Sequence, residues 1–494
     1  MTLGTKEIAR WALALGALVG SHAVASATQP VADKYVVKAG TVLTMGGKEI
    51  KNGIILMEGG RITAVGTEEE VEVPWDAEVL DASELVAFPG FVEAHSSSGM
   101  DRANENLDVT PFLNVRDSID PVNFYFQDCL RAGVTTINVQ QGNSCVVGGQ
   151  GMIVKPYGMT VEQMAVRPGS GLKMSIAPKR GKSHATQLQV LRGAFQELKT
   201  HLEDLVQQKK DGDDRARREA LYQGRDLEGE GGKGREMKGS AWTVEGLESV
   251  PRGEIDEKLE PLLHVVEGRL PVFMYCGSAR DVGPAVEVAE ENGFLGRTTF
   301  VLAAGCWKAA DEIAAAGRPV VLAGSLTHVE LDPVTGEEKE TFVPSIYAEK
   351  GVNFALSSLN ATTLSLWYQA ALCVANGVER EMALGAVTTT PASMLGLEKR
   401  TGQIAKGFDA NIVLFSGDPL SLTSSVEFVV LDGDLVYDRS TDVRQQHLLE
   451  GIAPENTAPA IGAVDGPVDV HAKEIEEGQG ADDQGDDEEE EGEQ

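Results

Sequence analysis

The stretch VAFPGFVEAHSSSG, residues 86–99, decides how the rest of the chain reads. An apolar, strand-like run is interrupted by Pro89-Gly90 and resumes toward His95. A histidine at a strand end is where a hydrolytic metal site can begin, because neutral imidazole is a common metal ligand. A second ligand on the same face of the strand belongs two residues on, and Ser97 stands there. The stretch therefore keeps the outline of a metal site and departs from it at once.

Working outward, the segments YVVKAGTVLTM, GIILMEGGRITAVG and AEVLDASELVAF before this stretch read as short strands separated by Gly pairs. The same texture returns late, in FDANIVLFSGDPL and VEFVVLDGDLVYD. Two β-rich ends around a long middle predict a small sheet domain built from both. The middle contains brief apolar runs, TTINVQQ (135–141), LPVFMYCG (270–277), TTFVLAAG (298–305), RPVVLAG (318–324) and VNFALSS (352–358). Each reads as a strand buried on both faces, with helical patterns such as DVGPAVEVAEENG between them. Such alternation predicts a parallel barrel or a doubly wound sheet. Leu188, Leu191, Phe195, Leu198, Leu202 and Leu205 follow one another at spacings of three and four, which is one apolar helix face.

The chain has 494 residues, enough for a large domain and a smaller one. Its net charge is −33, of which −11 falls in residues 471–494. That balance disfavours nucleic acid and anionic membrane surfaces as partners. Near the start, Lys6 and Arg10 precede the apolar run WALALGALVG, and Ala25-Ser26-Ala27 follows as a cleavage site. This reads as an export signal, with an uncleaved anchor as the other reading. The run is too short to span a bilayer comfortably, so no membrane span is expected after signal removal, and the mature chain is expected to be periplasmic or extracellular. The five cysteines, Cys129, Cys145, Cys276, Cys306 and Cys373, are widely spaced and fit neither a disulfide framework nor a zinc finger. The segment QGRDLEGEGGKGREMKGS (223–240) reads as a charged insertion loop. The expected division is a signal peptide over 1–27, a composite β domain over 28–88 and 402–440, and a barrel over 89–401 with a charged insertion near 207–255. An acidic tail over 453–494 is expected to be disordered.

Three blocks carry a resemblance to a known family. They are KAGTVLTMGGKEIKNGIILMEGGRITAVG with VAFPGFVEAH, then LRAGVTTINVQQGNSCVVGGQGMIVK, then ALGAVTTTPASMLGLEKRTGQIAKGFDANIVLFSGDPL. Through them the chain, over residues 34–440, resembles the metal-dependent amidohydrolase superfamily in its imidazolonepropionase-like branch. The resemblance implies an α/β fold: a (β/α)8 TIM-like barrel with a small β-sandwich domain formed from both termini. It also implies metal ligands at the C-terminal strand ends: a His-x-His pair on strand 1, one His each on strands 5 and 6, and an Asp on strand 8. Some members add a carboxylated Lys or a Glu from the middle strands.

On that pattern His95 is the one retained ligand position, and Ser97, Tyr275, Ala304 and Leu359 occupy the others. Pro178, in GLKMSIAPKRG, stands where a Glu often occurs. No His or Asp lies within two positions of Tyr275, Ala304 or Leu359, so a slip in alignment restores nothing. A catalytic zinc needs about three protein donors, and without the ion water keeps a pKa far above neutrality.

Cys276 and Cys306 sit at the ends of neighbouring strands, which leaves a Cys-Cys-His site with His95, a disulfide or core thiols as readings. Lys155 is a further pocket candidate, and GGQG (148–151) could be read as a phosphate cradle but lacks the following Lys-Ser/Thr. The expected function is that of an exported, non-catalytic homologue with no cofactor, binding a small molecule or serving as partner subunit of an active relative. A homo-oligomer, or a hetero-oligomer with that relative, follows as the expected assembly. The alternative is an active amidohydrolase acting on non-peptide C–N bonds through an atypical site holding one divalent metal such as zinc.

Overall fold

Runs rich in Val, Ile, Thr and Phe pack best as strands, because branched side chains fit a half-buried pleated surface. In the computed structural model, which describes residues 34–47, 49–223, 244–358 and 365–451, these runs form two large sheets. The first joins β1 (Lys34–Val42), β2 (Ile50–Glu58), β3 (Arg61–Thr67) and β4 (Glu78–Pro89) to the late strands β15 (Ile412–Phe415), β16 (Val426–Leu431) and β17 (Asp434–Asp438). The order is β17-β16-β15-β4-β1-β2-β3, one continuous sheet of seven strands. Val37, Ile55, Ile412, Leu414 and Val430 share one apolar cluster, so residues from both ends of the chain bury a common face. The chain passes from β4 into the second sheet through Pro89-Gly90, where the rings of Phe88, Phe91 and Phe415 meet at centroid distances of 5.6–6.3 Å.

The second sheet is a nearly closed barrel of eight strands. Its members are β5 (Phe91–Ser96), β6 (Val134–Val139), β7 (Val147–Val154), β8 (Ala165–Ser175), β9 (Val272–Cys276), β10 (Thr298–Leu302), β11 (Val320–Ala323) and β14 (Phe354–Ser357), in that spatial order. The short pair β12 (Thr327–Leu331) and β13 (Glu338–Phe342) stands apart from it. One feature departs from the regular eight-fold parallel barrel implied by the resemblance: β7 runs antiparallel to both β6 and β8. The reason is chain length. Residues 140–146 cannot carry a crossover helix, and only the four-residue helix Val161–Met164 separates β7 from β8, whereas parallel neighbours need a dozen or more connecting residues.

Helices cover the outside. The helix Phe124–Arg131 starts at Asn123, whose side chain accepts a hydrogen bond from the Tyr125 N–H at 3.0 Å. The long helix His184–Gln223 buries Leu191, Phe195, Leu198 and Leu202, with Leu188 and Leu205 packed at the margin, as the spacing predicts. It continues to Gln223, so the charged stretch expected from residue 207 begins as helix. Residues 224–240 of the insertion, the export signal and the acidic tail lie outside the described residues. From Ser440 onward the chain forms a separate unit, whose described part is the helix Val443–Glu450 with Asp442 as its N-cap. Among the described residues no helix is long and apolar enough to cross a membrane.

Gly90 is required where the two sheets join. A Cβ there would lie 2.0 Å from Thr135 Oγ1 and 2.1 Å from its Cγ2, and Thr135 is fully buried. Gly90→Ala is expected to lower stability by about 1–3 kcal/mol, read as a reduced urea midpoint at constant slope. An unchanged midpoint would contradict this packing of β5 against β6.

Candidate functional site

The mouth of the barrel is shaped by an irregularity in β5. Val92 and Ala94 join the interior cluster with Phe273, Val301, Val321 and Ala355. Strict alternation after Ala94 would turn His95 outward. The β5–β6 ladder instead shifts register between Glu93 and Ser96, as a bulge does. Ser96 then faces outward and accepts a hydrogen bond from the Tyr125 hydroxyl at 2.7 Å. His95 faces inward, its Nε2 2.7 Å from Nζ of Lys173 on β8. The Lys173 ammonium position lies 5.6 Å from the ring centroid of Tyr275 on β9. Beneath them Asn138, Gln140 and Ser170 form a buried polar group. Ser170 Oγ donates to Asn138 Oδ1 at 2.6 Å, and Gln140 Nε2 donates to Ser170 Oγ at 3.1 Å.

Two basic groups thus share one hydrogen bond in a water-poor interior. Burial lowers the pKa of Lys173 to about 7. Burial, and secondarily the nearby Lys173, holds His95 well below the usual histidine range. Both shifts come chiefly from the cost of taking a cation out of water. Nδ1 of His95 is buried without a hydrogen-bond partner. Tyr275 is pushed up by burial and stays a neutral phenol.

The other residues picked out from sequence are dispersed. Ser97 lies just past the end of β5 and is half-buried. Ala304 begins the 3-10 turn Ala304–Ala309 after β10, and the next residue, Gly305, faces the His328 ring. Cys276 and Cys306 both belong to the outer apolar core, and all five cysteines are free and buried. Cys306 Sγ donates to the Cys276 carbonyl at 3.1 Å rather than meeting its sulfur. Burial raises both thiols, so neither is a thiolate. Because β7 runs backwards, Lys155 at its end lies away from the mouth, bonded to Asn411 Oδ1 at 3.2 Å and to the Asp432 carboxylate. GGQG is part of β7, where the missing Cβ of Gly151 leaves room for the Gln140 amide. Leu359 lies outside the described residues; residues 359–364, LNATTL, contain no His, Cys, Asp or Glu.

Sequence reasoning missed Lys173 and Glu93. Each is a charged residue inside a run otherwise apolar, GLKMS and FVEAH, and that contrast was the available signal. Glu93 is fully buried, accepting hydrogen bonds from the Ser358 N–H at 2.8 Å and the Ser358 hydroxyl at 2.5 Å. Burial raises its pKa, and the bonds from Ser358 pull it back.

A divalent metal does not fit this mouth. Among the described residues no three His, Cys, Asp or Glu side chains are placed to hold one. The single imidazole has its Nε2 engaged by an amine, while a catalytic zinc takes about three such donors and keeps a position for water.

Polar side chains converge at the strand ends of this barrel, where such scaffolds place their sites. An amidohydrolase family model matches residues 363–437. The chain is similar to amidohydrolase tasK of Hapsidospora irregularis, 24% identical over 463 residues that make up 85% of this chain and 43% of that one. A shorter likeness, 33% over 84 residues, links it to a 5-methylthioadenosine/S-adenosylhomocysteine deaminase of Desulforamulus reducens, covering 16% of this chain and 19% of that one. The chain thus spans less than half the length of either curated relative. Among solved structures, an amidohydrolase from Thermotoga maritima superposes with a TM-score of 0.63 at 25% identity, covering 82% of this chain and 100% of its own. Together these likenesses support the amidohydrolase superfamily as the chain's family.

The buried lysine has a measurable consequence. Its folded pKa, about 7, is below the ordinary value of about 10.4. Between these values the unfolded chain binds the proton and the native one does not, so stability rises with pH across that window and is flat below it. Lys173→Met should stabilise the protein by about 1–4 kcal/mol at neutral pH, with the gain shrinking toward pH 10. Urea titrations of both proteins at several pH values read the difference; a pH-independent difference would contradict a buried, neutral Lys173.

Proposed function

We propose that this chain is an exported amidohydrolase-superfamily member that has lost metal-dependent hydrolysis and serves as a small-molecule binder or as the partner subunit of an active relative. The observation that carries this reading is the Lys173–His95 contact of 2.7 Å. The nitrogen that would hold a metal is occupied by an amine, and Ser97, Tyr275 and Ala304 stand where further ligands would be. Zinc-type catalysis depends on a Lewis acid to bring the pKa of bound water near 7. The mouth orients a ligand through the His95 imidazole, the Lys173 nitrogen and the Tyr275 phenol. Export is supported by Lys6, Arg10 and the run WALALGALVG. The seven-stranded sheet, with its shared apolar face, is read as the sandwich-like small domain of the superfamily.

Elemental analysis of protein purified without chelators tests the reading. Zinc, manganese, iron and nickel together are expected at less than about a tenth of an equivalent, given the missing donors. His95→Ala is expected to leave that figure unchanged. Near-stoichiometric metal, lost on His95→Ala together with amidase activity, would overturn the proposal.

A further inference from the structure

A cavity of about 760 Å³ opens at the end of the barrel opposite His95 and Lys173, where Pro271, Thr299, Pro319 and Asn353 precede or begin their strands. Arg167, Arg269, Arg297, Arg318 and Lys350 line it, and none of its twenty lining residues is Asp or Glu. In this chain acids outnumber Lys and Arg by 76 to 43, so a lining that gathers five cations and no acid runs against composition.

The cations are only partly neutralised by their surroundings. Arg269 is paired with Glu267, Nε to Oε2 at 2.7 Å, and Lys350 with Asp311. Arg318 donates Nε to the Thr298 carbonyl at 3.2 Å and has no carboxylate partner among the described residues. The guanidinium groups of Arg167 and Arg297 have neither a hydrogen-bond nor an ion-pair partner among the described residues. Arg167 is also half-buried. Burial and then Arg400 lower its pKa, against a weaker opposing pull from Glu398. Arg400 is itself paired with Asp409, Nη2 to Oδ2 at 2.7 Å, which tempers that repulsion but supplies Arg167 with no anion. A half-buried guanidinium without a carboxylate partner is costly unless an anion completes it. A concave, one-signed lining also concentrates field and attracts counter-ions.

We propose that this cavity is a binding site for a small, multiply charged anion carrying two or more phosphate or carboxylate groups. Arg167, Arg297 and Arg318 supply the open guanidinium donors, and such forks match both oxyanions in geometry. The site is independent of whatever the opposite mouth does.

Calorimetric titration of the full-length protein, dialysed free of metals, with tripolyphosphate and with citrate tests the proposal. One saturable event is expected, stronger for the probe whose chemistry the site prefers and weaker as salt rises. Arg167→Gln and Arg297→Gln should each weaken it about tenfold. Ser393→Glu, which places a carboxylate in the cavity, should abolish it. Lys173→Met at the mouth and Lys38→Gln on the small sheet should leave it unchanged. If Arg167→Gln fails to fold, Arg297→Gln and Ser393→Glu carry the same test at exposed positions. Absence of saturable heat with both probes, or equal weakening by Lys38→Gln, would overturn the proposal, and loss on Lys173→Met would move the site to the mouth.

Discussion

The buried carboxylate of Glu93 holds the first and last barrel strands together, and the mouth depends on that seam. No backbone ladder joins β14 to β5 among the described residues. Glu93 Oε2 instead takes the Ser358 N–H and hydroxyl, its Oε1 accepts the His95 N–H at 3.3 Å, and Ser357 Oγ donates to the His95 carbonyl at 2.5 Å. At the other end of the seam, Leu356 and Val92 donate to the Ala386 and Val387 carbonyls at 3.0 and 2.9 Å. A short connecting segment thus substitutes for the missing ladder below, and one carboxylate for it above. Hydrogen bonds to a charged group contribute roughly 1.5–3 kcal/mol each, which offsets part of the cost of burying it. The same bonds grip the backbone of His95 on both sides.

With His95 held this way, the bulge in β5 has a consequence beyond local geometry. It turns the imidazole toward Lys173 rather than toward the outer helices. Two basic groups at 2.7 Å in a dry interior cannot both be protonated without large repulsion. Burial eases the conflict: it keeps His95 neutral and brings Lys173 down to a pKa of about 7. A mouth built on neutral nitrogen and a phenol is chemically unlike one built on several imidazoles and a carboxylate. Its carboxylate, Glu93, is taken up by the His95 N–H and by Ser358, while several converging anionic or imidazole donors are what hold a divalent ion.

The two ends of the barrel are electrostatic opposites of what the net charge of −33 would lead one to expect. At the upper end burial brings the lysine down to a pKa of about 7. The lower end gathers arginines, which cannot be neutralised that way because the guanidinium stays protonated at any ordinary pH. Between them the apolar layers of Phe273, Val301, Val321, Leu395 and Leu397 plug the interior. The ends therefore present separate chemical environments on one scaffold.

Much of the fold was legible from residues alone. The alternation of branched apolar runs and turns marked the strands, the three-and-four spacing from Leu188 to Leu205 marked one helix face, and the β-rich ends announced a shared sheet. The absence of His or Asp within two positions of Tyr275 and Ala304 was likewise plain, but sequence distance does not report what folding brings close: Gly277 donates to Asp281 at 2.9 Å and Gly305 faces the His328 ring. What only the tertiary structure decided concerns partners far apart in sequence. Lys173 meets His95 across 78 positions, Ser358 meets Glu93 across 265, and β7 reverses direction because its connections are short. Local periodicity reports which face of an element is apolar. Which polar groups meet depends on bulges, register and closure of the barrel, and these are set by packing over the whole molecule.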